Sequence, residues 1–212
     1  MCNTRTILRE YNSQNDLYRD YLLALRNLLE SLLKKGGYKY HLSHRMKSRE
    51  SLKEKIKRKK SIGKIYKHLN DIGDVIGIRI VFYTESDRKR FVKNLAKAIG
   101  GVIQFKEASK VSGYRSIHAI VTFSKERLRL AEYKRFKGLK CEIQMTLILD
   151  DAWAEVEHDI LYKEGTEIQA LDKKQYVVLK EKLESIMHDY IQKASLGLES
   201  IVKNIRRQKV HR

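Results

Sequence analysis

Two acidic residues stand where they could bind a metal ion. Asp74 comes directly before the alternating segment IGIRIVFY, and Glu142 lies inside the alternating segment LKCEIQM. Carboxylates from two separate strands can bind Mg²⁺ when the phosphates of a substrate complete its coordination. Each residue also has a structural explanation, with Asp74 capping a turn and Glu142 pairing with a lysine. The pair is therefore a candidate magnesium site whose meaning depends on the residues around it.

Polar side chains also recur along one face of several predicted strands. In the segment VSGYRSIHAIVTF, Tyr114, Ser116 and His118 occupy every second position, so a strand would project all three from the same face. The segments that contain Arg79 and Glu142 carry comparable polar rows. One such row is usually the solvent side of a half-exposed sheet. Three rows on neighbouring strands would instead line one concave surface.

A strongly basic segment precedes these strands. Between Lys34 and Lys67 there are 14 Lys or Arg residues and only two acids. Ser48 can cap a helix here, and the start of that helix would be an anion site. A solvated helix face is the alternative, although it leaves the cations almost unopposed. The residues that could bind the phosphates of a nucleoside triphosphate are Arg45, Lys47, Lys55 and Arg58.

The composition of the 212-residue chain restricts its partners more than its fold. Forty-five Lys and Arg oppose 26 Asp and Glu, which gives a formal net charge of +19 with His neutral. Nucleic acid, polyphosphate ligands and anionic membranes attract such a surface. A membrane protein is not expected, because no window approaches about 18 uninterrupted apolar residues. With only Cys2 and Cys141, and no signal peptide, we expect reduced thiols and a cytoplasmic protein.

Helical and strand patterns alternate and predict a single α+β domain over residues 1–212. A helix is expected at about 15–35, three or four strands alternate with helices after the basic segment, and a long helix closes the chain at about 172–205. No GxxxxGK[ST] loop is present, which excludes a Walker-type NTPase. The expected core face of the last helix comprises Tyr176, Leu179, Leu183, Met187, Ile191, Ala194, Leu198 and Ile201.

Four motifs resemble, in order and spacing, the synthetase domain of RelA/SpoT-type alarmone synthetases. They are SHRMKSRESLKEKIKRK, DVIGIRIVFY, SGYRSIHAIV and EIQMTLILDDAWAEVEHDILYK, and the match covers about residues 40–163. The whole chain is similar to a small single-domain member, and most like the toxic small alarmone synthetases that modify tRNA. The resemblance implies a mixed sheet of about five strands flanked by helices. It also implies transfer of an intact pyrophosphate from ATP to a ribose 3′-hydroxyl.

The resemblance further implies a role for each motif residue. Asp74 and Glu142 would bind Mg²⁺, and Glu142 would also help to deprotonate the acceptor hydroxyl. Tyr114 would stack on the acceptor base, while His118 and Gln144 would orient the acceptor or its phosphates. The residues that would bind the donor ATP are Arg45 and Arg79, on either side of the adenine, and Lys47, Ser48, Lys55 and Arg58, at the phosphates.

One position departs from the family pattern. The family commonly reads EIQIRT where this chain reads EIQMTL, so Thr146 occupies the position of an arginine that helps to build the acceptor half of the site. Together with the charge of +19, this change favours an acceptor that brings its own phosphates, the 3′-CCA terminal adenosine of tRNA. The residues expected to bind that tRNA are Lys34, Lys35, Lys134, Arg135 and Lys137.

The sequence leaves more than one function open. In the favoured reading the chain blocks aminoacylation and translation as a toxin, with an antitoxin protein as its partner. In the second it is a (p)ppGpp synthetase with GDP or GTP as acceptor, and another nucleotide acceptor is a further possibility. In a reading from a different class it is a catalytically inactive RNA-binding module. The apolar stripe of the C-terminal helix fits either a homo-oligomer or simple core packing.

Overall fold

The computed structural model of the chain describes residues 4–109, 115–162 and 172–210. Its helices are α1 (Thr4–Lys35), α2 (Arg49–Ser61), α3 (Glu85–Ile99), α4 (Ile148–Tyr162), α5 (Lys173–Ile186) and α6 (Gln192–Val210). Its strands are β1 (Tyr40–Met46), β2 (Ile76–Phe82), β3 (Val102–Ser109), β4 (Arg115–Val121) and β5 (Cys141–Leu147). Across those ranges, no helix is long and apolar enough to cross a membrane.

The strands form one mixed sheet in the order β1-β2-β5-β4-β3. β5 is central, and its residues Cys141, Ile143 and Met145 are fully buried. β1 lies at the edge, and all seven of its side chains are exposed or only half-buried. The predicted α+β class with about five strands is confirmed. β1 itself was not predicted, because an exposed edge strand lacks a clear apolar alternation.

The described residues group into two compact units, and β2, β3, β4 and β5 each contribute residues to both. The first unit comprises Met1–Ile80, Phe91–Lys106 and His118–Gln144, and the second comprises Val81–Arg90, Glu107–Ile117 and Met145–Arg212.

Helix α1 supplies much of the core of the first unit. Tyr21 is fully buried, and its ring lies 5.0 Å from Phe123 in an edge-to-face contact. The helix begins at Thr4 rather than near residue 15, because Ile7, Leu8 and Tyr11 extend its buried face toward the N-terminus. The polar segment NSQND interrupts the pattern in the sequence but lies within the helix.

The C-terminal helical segment belongs to the second unit and is interrupted once. Between α5 and α6, Met187–Ile191 forms a π-helical turn. Met187 and Leu183 pack on Trp153 of α4, as expected for the apolar face. Farther along, Leu198 is 42% exposed and Ile201 is 57% exposed. The prediction that these two residues belong to the core face was therefore wrong.

Polar contacts fix α6 against the start of α3. Arg206 Nη2 lies 2.8 Å from Asp87 Oδ2, and the Asp87 side chain is almost completely buried. The Ser86 backbone N–H donates to Glu199 Oε2 at 3.1 Å, so this carboxylate binds an otherwise unpaired N–H group at the helix terminus. These contacts hold the basic C-terminal segment on its own unit by specific hydrogen bonds rather than by an apolar stripe.

Candidate active site

The start of α2 presents the cations that were predicted to bind phosphates. Ser48 has an extended backbone and its hydroxyl accepts a hydrogen bond from the Ser51 N–H at 3.2 Å, so the predicted cap is present. Leu52 and Ile56 are buried and fix the orientation of the helix. Lys55 therefore lies on one flank of α2, and Arg58 lies about one turn further along the same side.

Asp74 is ion-paired rather than serving as a turn cap. Its Oδ1 accepts a hydrogen bond from Lys55 Nζ, and Lys47 Nζ lies 3.7 Å from its Oδ2. The Lys47 backbone is itself fixed, because its N–H donates to Val75 O at 2.9 Å and its carbonyl accepts from Tyr11 Oη at 2.7 Å. All three charged side chains are less than a quarter exposed. The structure thus places two partly buried lysines on one carboxylate.

Glu142 accepts two hydrogen bonds from neighbouring side chains. His118 Nδ1 lies 3.0 Å from Oε1, and Gln144 Nε2 donates to Oε2 at 2.8 Å. Burial alone raises the pKa of Glu142, but these hydrogen bonds and the charges of His118 and Lys55 outweigh it. The net result is a pKa below the ordinary value. Glu142 is therefore an oriented, ionised carboxylate, and its two predicted neighbours contact it directly.

The two arginines predicted to bind adenine share one face of the sheet. A Cβ placed on Gly77 would lie 4.0 Å from Arg45 Cγ and 3.7 Å from the Glu142 carbonyl oxygen. Arg45 therefore extends over β2 on the side to which residue 77 points. Arg79 is two residues further along β2, so it projects from that same face. The glycine leaves space for the arginine stem beside β5.

The order of the strands brings the polar rows together. β2, β5 and β4 are adjacent, so Arg79, Glu142 and His118 lie on three neighbouring strands, as predicted. Lys55 connects the two carboxylates, because it contacts Asp74 and its charge also lowers the pKa of Glu142. Tyr114, which was predicted to stack on the acceptor base, lies outside the described residues.

The two carboxylates fit a magnesium site that a substrate completes. Within the described ranges no group of three or more His, Cys, Asp and Glu side chains could hold a metal ion. Asp74 and Glu142 would therefore need further oxygen ligands, and phosphates provide them. Hard carboxylate oxygens are the ligands that Mg²⁺ prefers, so the chemistry of this pair suits that ion.

Two of the residues predicted to bind tRNA form ion pairs with carboxylates at different positions on α1. Lys34 pairs with Glu30 at 2.9 Å, near the end of α1. Arg135 pairs with Asp20 at 2.8 Å. Asp20 precedes Glu30 by ten residues on α1, which is about 15 Å along the helix axis. Lys35, Lys134 and Lys137 are exposed.

Tyr66 is a site residue that the sequence did not reveal. Its side chain is 6% exposed. Burial raises the pKa of its phenol, the Asp74 carboxylate raises it further, and the positive charge of Arg58 partly opposes this. The phenol therefore lies within electrostatic range of both groups. The only signal in the sequence is a single aromatic residue in the lysine-rich segment SIGKIYK.

Thr146 is buried, whereas the charged group of an arginine at this position would need contact with solvent or with a bound anion. It is 1% exposed, and its hydroxyl has no hydrogen-bond partner among the described residues. It follows Gln144 by two residues on β5, so strand alternation places it on the face of Glu142 and Gln144. This face of β5 thus ends in a small buried residue.

We expect Thr146→Val to stabilise the fold by about 1 kcal/mol, because it removes a buried hydroxyl that makes no hydrogen bond and keeps the side-chain shape. Urea unfolding followed by circular dichroism measures the change. Thr122→Val is the control, because the Thr122 hydroxyl donates to Gly101 O at 3.1 Å and its loss should not stabilise the fold. A Thr146→Val variant that is less stable than the wild type would contradict the conclusion that the Thr146 hydroxyl makes no hydrogen bond.

Comparison with known proteins identifies the class to which this fold and site belong. Residues 44–167 match the model of the region found in RelA / SpoT proteins, and this match covers more than half of the chain. The chain belongs to this family and is an ATP-dependent pyrophosphotransferase of the small alarmone synthetase type.

Individual relatives match over nearly the whole length. The chain is 28% identical over 214 residues to GTP pyrophosphokinase YwaC of Bacillus subtilis (strain 168), covering 95% of this chain and 96% of that protein. It is similar to small alarmone synthetase 2 from Bacillus subtilis at 26% identity and a TM-score of 0.68, covering 90% and 98% of the two chains. It is also similar to a GTP pyrophosphokinase family protein from Streptococcus pneumoniae at 25% identity and a TM-score of 0.71, covering 94% and 96%.

Proposed function

We propose that this chain transfers the β,γ-pyrophosphate of ATP to the ribose 3′-hydroxyl of GDP or GTP and so makes (p)ppGpp. The observation that carries the proposal is the match to a GTP pyrophosphokinase over 95% of this chain and 96% of that relative. The tRNA acceptor that the sequence favoured has no comparable support. The guanine nucleotide is therefore the first choice, and tRNA becomes the second.

The donor half of the proposed site is built from cations that are already in place. Arg45 and Arg79 share a sheet face on which an adenine ring can stack, because a planar guanidinium packs well against a π-system. Lys47 and Lys55 neutralise Asp74 before ATP arrives. Once the triphosphate is bound, both lysines can turn to its oxygens, and Ser48 and Arg58 extend the same cationic surface. Asp74 is then released from its ion pairs.

Mg²⁺ would be held by Asp74, Glu142 and the phosphates, and it would neutralise charge on the transferred group. This assignment agrees with the ion pairs of Asp74. If Lys47 and Lys55 move to the phosphates, the Asp74 carboxylate becomes available to Mg²⁺, which carries a higher charge. The chain's own contribution is to fix both carboxylates and to supply the lysines around them.

The acceptor half of the proposed site centres on Glu142. The acceptor O3′ attacks the β-phosphorus of ATP, a bond forms between these two atoms, and the bond from the β-phosphorus to the oxygen of the α-phosphate breaks. AMP leaves, and the hydroxyl proton passes to Glu142. His118 and Gln144 orient that carboxylate through hydrogen bonds of 3.0 and 2.8 Å. They act as positioning residues, while Tyr114 would bind the acceptor base by stacking.

A tRNA 3′ end remains the second candidate acceptor. It is favoured by the net charge of +19 and by Thr146 at the position where the family commonly has an arginine. In that case an antitoxin protein would be a partner, and Lys35, Lys134 and Lys137 would be the exposed cations that contact RNA. Two of the residues assigned to this role, Lys34 and Arg135, already have carboxylate partners.

Transfer of label separates the candidates. The protein is incubated with Mg²⁺ and ATP labelled on the γ-phosphate, together with GDP, GTP or deacylated tRNA. We expect labelled ppGpp or pppGpp, with one AMP released for each transfer. Label on tRNA alone would replace the proposal by the second candidate. No labelled product with any of the three acceptors would reject both and leave either another nucleotide acceptor or the inactive RNA-binding module.

A further inference from the structure

A cavity lined mainly by basic side chains lies on the opposite flank of α2 from Lys55. Its volume is about 490 Å³, within the range of about 300–1,000 Å³ typical of ligand sites. It lies between the first turns of α1 and α2 in the first unit. The residues that line it are Thr4, Arg5, Leu8, Arg9, Asn12, Arg49 and Lys53.

The charge in this cavity is unbalanced. Four of its seven lining residues are cations and none is an acid. Arg9, Arg49 and Lys53 form no ion pair with any carboxylate in the described part of the chain. Arg49 and Lys53 are one turn apart on α2, and like charges at this spacing repel each other. A multiply charged anion would remove this repulsion.

The cavity is separate from the cations assigned to ATP. Successive residues of an α-helix are about 100° apart around its axis, so Lys53 and Lys55 project about 200° apart from α2. The buried Leu52 and Ile56 lie between these two flanks. Lys55 is directed to Asp74, whereas Lys53 is directed to α1. An anion in the cavity would therefore not compete with the ATP phosphates for the same lysines.

The lining also indicates the class of ligand. No aromatic side chain is among the seven residues, so the lining offers no aromatic platform for a base. Guanidinium and ammonium groups together with the Thr4 hydroxyl and the Asn12 amide are groups that bind phosphate oxygens without reading a base. We propose that this cavity is a second anion site, which binds consecutive phosphate groups, either of an RNA backbone or of a free polyphosphate chain.

Binding of two probes tests the proposal, and the variant Arg9→Ala with Lys53→Ala removes two cations from different helices. A fluorescent 20-nucleotide single-stranded RNA is titrated over a range of salt concentrations, and inorganic tripolyphosphate is titrated by calorimetry. If the site binds RNA, the slope of log K against log salt should flatten by about 1.4, because each lost contact to a single strand changes it by about 0.7. If it binds free polyphosphate, one of the wild-type binding events should disappear.

A matched control carries Lys93→Ala with Lys182→Ala, two exposed lysines outside both sites. It changes the net charge equally and should leave both titrations as in the wild type. Thermal unfolding verifies that all variants fold. The proposal is overturned if neither probe distinguishes the Arg9/Lys53 variant from the wild type, or if the control variant loses as much binding.

Discussion

Asp74→Asn is expected to reduce pyrophosphate transfer by more than about 100-fold with every acceptor. Loss of an outer partner of a metal ligand alone costs about 10–100-fold, and Asp74 is proposed to bind the ion directly. In the wild-type protein Lys47 and Lys55 share the Asp74 carboxylate, and the neutral amide of the variant releases both lysines. ATP binding should therefore survive better than turnover, because both lysines remain available to the phosphates.

Asp16→Asn is the matched control for this change. Asp16 lies on α1 and its side chain is 95% exposed, so the same removal of one charge should leave transfer unchanged. Transfer is measured with γ-labelled ATP at several Mg²⁺ concentrations, and thermal unfolding shows whether each variant folds. An Asp74→Asn enzyme with near-normal turnover would eliminate Asp74 as a metal ligand and leave its lysine pairs as a purely structural feature.

Glu142→Gln should reduce kcat by about 10²–10⁴-fold, the usual contribution of a positioned general base. A glutamine keeps the size of the side chain but cannot act as a general base. Its amide NH₂ group would also face a hydrogen-bond donor of His118 or Gln144. The KM for ATP should change much less than kcat, because the assigned ATP contacts lie on other residues.

The dependence on metal concentration separates the two roles of Glu142. If Glu142 serves only as a metal ligand, excess Mg²⁺ should restore much of the activity of the Glu142→Gln variant. If it also accepts the proton, activity should stay low at saturating Mg²⁺. Glu132→Gln, in an exposed loop, provides the control for loss of one carboxylate. A Glu142→Gln enzyme that retains wild-type kcat would contradict both roles.

The central strands and the helix cap could be predicted because each rests on a local rule. Alternation of apolar residues identified β2 and β5, and Ser48 followed by a buried pair identified the start of α2. β1 had no such signal, because an edge strand with exposed side chains lacks alternation. The early start of α1 was hidden by the polar segment NSQND, since tertiary contacts rather than local preference keep that segment helical.

The sequence motifs selected the residues of the candidate site but did not indicate their pairings. Position in the motifs selected Asp74, Glu142 and His118, yet a sequence does not say which carboxylate a lysine will contact across a distance of 19 residues. The burial of Thr146 could not be predicted either. Threonine suits both faces of a strand, and only the packing around β5 decides whether its hydroxyl meets water.

The π turn at Met187–Ile191 has a consequence for chain length. Because its hydrogen bonds span five residues rather than four, it contains one residue more than an α-helical turn needs. Deleting one residue here can restore a regular helix while Leu183 stays on Trp153 and Arg206 stays on Asp87. The same deletion in the α-helical part between Leu183 and Arg206 would turn one contact about 100° away from the other. Relatives that are one residue shorter at this point can therefore keep both ends of the helical segment in register.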